Sequence, residues 1–114
     1  MDEPFITEQV GELAEYARVL DAAFGDRDPI LLKSVADQLE RQVRPLSQFL
    51  ESGPRPWKVA LAGAWIATNS VKGVLENLAI PPLDWDQIGA AVSFTVSGVE
   101  QLSAAWTRIL SRST

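Results

Sequence analysis

Residues 28–50 read DPILLKSVADQLERQVRPLSQFL, and this stretch decides the fold class. Asp28 followed by Pro29 is a helix start. An aspartate side chain accepts from the free N–H groups of a first turn, and proline at the first helical position lacks an N–H that would go unused there. Leu32, Val35, Leu39, Val43, Leu46 and Leu50 then recur at steps of three and four, which places them on one helical face. Lys33–Asp37, Asp37–Arg41 and Glu40–Arg44 are each four apart, so they can pair on the wet face. Pro45 removes a backbone donor and crowds the preceding turn, so a kink or break is expected near residues 42–44.

The same periodicity extends in both directions. Upstream, Val10, Leu13, Ala17, Leu20 and Phe24 predict a helix over residues 7–24, with Thr7 as its N-cap and Gly25 as a left-handed C-terminal cap. Downstream, Gly53-Pro54-Arg55-Pro56 is a connector. A third helix follows over residues 57–78, with Leu61, Ala64, Thr68, Val71, Leu75 and Leu78 on one face, and Pro81-Pro82 ends it. The fourth begins with Asp84 as N-cap, Asp86 in its first turn and Gln87 at the capping-box position. Ile88, Ala91, Val92, Val99, Leu102, Trp106, Ile109 and Leu110 give it a broad apolar face. No segment shows strand alternation. The expectation is all-α: one domain over residues 1–114, a four-helix bundle-like array with its second helix kinked or broken near Pro45.

The 114 residues suffice for one domain with a real core. The chain has no cysteine and no histidine, which removes disulfides, zinc clusters, cysteine nucleophiles and histidine bases. Ten basic residues against fifteen acidic ones give a net charge of −5, which argues against a nucleic-acid partner. The start, Met1-Asp2-Glu3-Pro4, is acidic where an export signal would be basic, and a cytoplasmic location is expected. The longest uncharged runs, residues 59–71 and 87–99, are 13 residues each, short of the roughly 20 that a spanning helix needs.

Charge and tryptophan are unevenly distributed. Residues 1–56 hold eleven acids and six bases, whereas residues 57–114 hold four of each and all four tryptophans, Trp57, Trp65, Trp85 and Trp106. Tryptophan is enriched at binding hot spots, so these four are candidate partner contacts, with the acidic stripe Glu8, Glu12 and Glu15 as a secondary surface. Gly89, Ser93 and Ser97 recur every four residues, as do Gly63 and Ala67; such rows let helix backbones approach closely. Gly63, Gly73, Gly89 and Gly98 each cost about 1 kcal/mol of helix propensity, so close contact is expected around them.

The chemistry of catalysis is thin. Asp26-Arg27-Asp28 and Asp84-Trp85-Asp86 are spaced acids, but each opens a helix, where capping explains them. Arg41 and Arg44, in a small basic cluster with Arg55 and Lys58, can simply pair with Asp37 and Glu40. Lys72 and Glu76 read as an ion pair, and no phosphate loop or nucleophile elbow is present. No catalytic residue, cofactor or metal is therefore expected. The leading expectation is a non-catalytic interaction or assembly module that binds another protein or itself. Two others stand beside it: a membrane-active hairpin built from residues 57–80 and 84–110, and an acidic, antitoxin-like inhibitor of a basic partner.

Overall fold

The computed structural model describes residues 3–113; Met1, Asp2 and Thr114, the first two read above as part of an acidic start, lie outside the described residues. Four helices follow in order: α1 (Glu3–Gly25), α2 (Pro29–Glu51), α3 (Lys58–Ala79) and α4 (Trp85–Ser113). A single 3-10 turn, Arg55–Trp57, leads into α3, and no strand occurs among the described residues. Short linkers force antiparallel neighbours, so α1 packs on α2 and α4, and α3 packs on α2 and α4. The result is a rod of 49 × 21 × 19 Å, about one helix long.

The helix starts behave as their residues dictate. The Asp28 carboxylate accepts from the Leu31 N–H at 3.1 Å, with Pro29 in the first turn. The Asp84 carboxylate accepts from the Asp86 and Gln87 N–H groups at 3.1 and 3.2 Å. Two expected caps differ. Thr7 lies inside α1, where its hydroxyl donates to the Glu3 carbonyl, because the buried face continues one turn further back through Ile6. Gly25 is not left-handed; Arg27 is, with φ 53°. The Asp28 N–H donates to Ala23 O and the Arg27 N–H to Phe24 O, both at 3.0 Å, which is a Schellman closure with arginine in the position glycine usually takes. The Arg27 side chain offsets the backbone strain. Its guanidinium lies 4.1 Å from the Phe24 ring centroid and 5.4 Å from that of Trp85, and it donates to Phe24 O.

Of the kink or break expected near Pro45, the break does not occur: α2 runs as one helix from Pro29 to Glu51. All six of its periodic apolar residues are buried, three of them on or beyond the proline's turn, so packing on both sides holds the segment helical despite the lost donor. Asp37 pairs with Lys33 at 3.3 Å and Glu40 with Arg44. The core also buries three hydroxyls. Thr68 and Thr95 donate to the carbonyls of Ala64 and Ala91, one turn back. Ser47 reaches both Val43 O and the Thr68 hydroxyl, joining α2 to α3 at 3.0 Å.

The α3–α4 seam is closed to backbone contact. A β-carbon on Gly63 would lie 2.4 Å from the Leu102 nitrogen, and one on Gly98 would lie 2.6 Å from the Ala67 nitrogen. The two glycines face each other across the crossing, and their missing side chains set its closeness. Gly73 needs no such room: a β-carbon there would meet Ala91 at an ordinary 3.6 Å.

Candidate functional site

Against that closed seam, the α1–α4 seam is open. Two aromatic contacts pin its ends. At one, Phe24 sits on Gly89, where a β-carbon would come within 2.6 Å of the ring. At the other, the Trp106 indole N–H donates to the Thr7 hydroxyl at 2.9 Å. These contacts fix the antiparallel register, so Ala14 lies level with Val99 and Asp21 with Val92. Between them both walls carry small side chains: Ala14 and Ala17 on α1, and Ser93, Ser97, Ser103 and Ala104 on α4. Ala17, Val92 and Val99 are buried beneath this seam, and the short side chains leave clefts above them. Two adjoining cavities of about 360 and 470 Å³ result, sharing Val96 and Glu100. Together they form a groove from Gly89 to Ala104, about 22 Å along α4.

The groove has an apolar floor and an acidic rim. Of the floor residues, Val92, Val99 and Ala17 are buried, and only Val96 presents part of its surface. Arg18, Asp21 and Glu100 line the edges. Arg18 is taken up by Glu15 at 2.8 Å, one turn away. Asp21 and Glu100 have no ionic partner among the described residues. They stand eight residues apart in register, about 12 Å along the groove.

The four tryptophans differ widely in exposure. Trp106 is 2% exposed and belongs to the core, which corrects its reading as a partner contact. Its ring meets Trp57 edge-on at 5.6 Å, and Trp57 in turn meets Phe49 at 5.6 Å. Trp57 also folds over Gly53, where a β-carbon would clash at 2.4 Å. Trp85 packs on Phe24 at 6.2 Å under the Arg27 guanidinium. Three of the four are therefore staples at the two ends of the bundle. Trp65 alone presents much of its surface, at 39%.

The remaining predicted residues divide as follows. Glu8 and Glu15 are exposed and Glu12 is half-buried, all on α1. Gly63 and Ala67 make the close α3–α4 contact. Gly89, Ser93 and Ser97 do not serve that contact: Gly89 receives Phe24, and the two serines are exposed on the groove wall. Gly98 takes the role assigned to Ser97, one position along. The groove residues Ala14, Asp21, Glu100, Ser103 and Ala104 were missed by sequence reasoning. Their one signal is that small residues recur on the same flank of α1 and of α4. Among the described residues, no group of three or more acidic side chains is placed to hold a metal ion. No described helix is long and apolar enough to cross a membrane. No protein-family model, curated protein or solved structure matches this chain.

Proposed function

We propose that this chain is a non-catalytic interaction module whose binding surface is the α1–α4 groove. One observation carries the reading: two adjoining clefts run for about four turns along this seam between two aromatic contacts, while the α3–α4 seam closes to backbone distance. A groove of this length, with the half-buried Val96 shared by both clefts, fits the flank of a partner helix. Catalysis lacks support there. The groove offers serines and two carboxylates, and among the described residues no hydrogen bond joins one to the other.

The test is selection of a displayed helical-peptide library on the immobilised domain, repeated on Ser93→Trp and Ala14→Phe. Ser93 is exposed and Ala14 half-buried on the groove walls, so both variants fill the groove; Ala14 also packs against the core, so circular dichroism and thermal unfolding check that each variant is folded before selection. Peptides enriched on the native domain should lose about tenfold or more in affinity on either variant. A selection that converges on nothing, or on peptides indifferent to both variants, overturns the reading.

A further inference from the structure

We infer that the outer face of the α3–α4 hairpin docks a second copy of this chain, the two copies lying antiparallel about a two-fold axis. This face is separate from the α1–α4 groove and does not depend on it. Three contacts locate it. Val59 lines a cleft with Arg108 and Arg112, the Ile66 side chain reaches Gly98, and Gly73 stands against Ala91. Helical pitch then sets Ala62 and Ser70 of α3 beside Phe94 and Gln101 of α4 on one surface. Phe94 is 63% exposed near the middle of α4 and Val59 is 57% exposed toward one end, with the half-buried Ile66 between their levels. Between its ends the surface is uncharged, since residues 59–71 and 87–99 hold no charged side chain.

Charge selects the occupant. Lys58, Arg108 and Arg112, with Arg55 in the turn before α3, gather at one end of the hairpin, and none of the four has a carboxylate partner among the described residues. Glu76, Asp84 and Asp86 lie at the other end, with Lys72 one turn inward, while Glu100 lines the groove on the opposite flank of α4. Laid antiparallel, each copy sets its basic end on the acidic end of the other, twice over by symmetry. Asp86 and Arg108 stand about 33 Å apart along α4. A foreign partner would need both signs at that spacing, whereas a second copy carries them there of necessity. An anionic surface would match the basic end and be repelled by the acidic one. Ser97 lies midway between Asp86 and Arg108 and so marks the level of the axis, with Phe94 one turn from it, so the two exposed rings meet near the centre. The net charge of −5 belongs to residues 1–56 and stays on the outer sides of the pair. One side of the 49 × 21 × 19 Å rod presents about 1,000 Å², against the roughly 800 Å² per partner of a stable specific interface.

Sedimentation velocity from micromolar to near-millimolar protein tests this, with a dimer expected that weakens at high salt. Phe94→Asp should weaken it about tenfold or more. Arg108→Glu with Arg112→Glu makes both ends acidic, and Glu76→Lys with Asp86→Lys makes both basic. Each double variant alone should be monomeric, and mixing the two should restore a dimer, because every end then meets its opposite. All five positions are exposed, and circular dichroism checks that each variant is folded. A monomer at every concentration, a dimer indifferent to Phe94→Asp, or a mixture no more associated than its parts overturns the inference. A dimer lost on Ser93→Trp and kept on Phe94→Asp places self-association in the groove and overturns it as well.

Discussion

Replacing Gly63 by alanine should destabilise the bundle, whereas the same replacement at Gly11 should stabilise it. On Gly63 the new β-carbon would stand 2.4 Å from the Leu102 nitrogen, 2.7 Å from the Gly98 oxygen and 2.9 Å from the Leu102 α-carbon. The first of these is 1.0 Å short of the 3.4 Å at which ordinary contact begins. All three are backbone atoms that cannot rotate away, so α3 and α4 have to part. Overpacking costs about 1–3 kcal/mol, and an immovable neighbour puts Gly63 at the upper end. Helix propensity returns about 1 kcal/mol, leaving a net loss of about 2 kcal/mol. For a domain of this size that lowers Tm by roughly 10 °C. At Gly11 a β-carbon meets nothing within 4 Å, so only the propensity gain of about 1 kcal/mol remains. Urea unfolding followed by far-UV circular dichroism reads both as shifts of midpoint at constant slope. Gly63→Ala as stable as the parent protein would refute the close crossing. The pair Gly63→Ala with Gly98→Ala should cost less than the sum of the singles, because one parting of the helices makes room for both.

Four further outcomes follow from the same contacts. Asp28→Ala and Asp84→Ala should each cost about 1 kcal/mol in chemical unfolding, while asparagine at either position keeps most of the cap. Thr7→Val leaves the buried Trp106 N–H without its acceptor and should cost about 1–3 kcal/mol; thermal unfolding at or above the parent Tm would remove that bond from the account. Arg27→Gly should change stability little, since relief of the left-handed backbone offsets the lost ring contacts, whereas Arg27→Ala keeps the strain and should fall about 1 kcal/mol below it. Ser47→Ala with Thr68→Val removes both partners of the buried α2–α3 hydroxyl contact and should stay within about 1 kcal/mol of the parent, and a larger loss would show that the pair holds the two helices in register.

How much of this was legible beforehand varies by residue. Asp28, Pro29 and Asp84 act through atoms within a turn of themselves, so their roles are local and sequence exposes them. The apolar face of α2 is equally plain, because a helix of known pitch must turn those six residues to one side. At Pro45 the lost hydrogen bond is visible in sequence, but the packing of Val43, Leu46 and Leu50 that keeps the helix from breaking there is not. Thr7 shows the limit at a helix end. The apolar face runs back past Val10 to Ile6, fully buried in the first turn of α1, so the helix starts before Thr7.

The sequence by itself determined four helices, their order, the caps at Asp28 and Asp84 and the class of chemistry the chain lacks. Tertiary structure alone decided which rows of small residues meet. Gly63 with Ala67 and Gly89 with Ser93 look alike in sequence, one glycine and one small residue four apart. The first pair meets the backbone of α4 at a tight crossing, and the second flanks an open groove. The difference lies in what each face confronts. Gly63 meets another glycine at the crossing, so the backbones touch. Gly89 meets the Phe24 ring, a side chain rather than backbone, and the short side chains beyond it leave clefts at the surface of the seam. The tryptophans were misplaced for the same reason. Composition shows four large rings, but only the meeting of chain ends, Thr7 with Trp106 and Phe24 with Trp85, shows that most of them close the bundle rather than face outward.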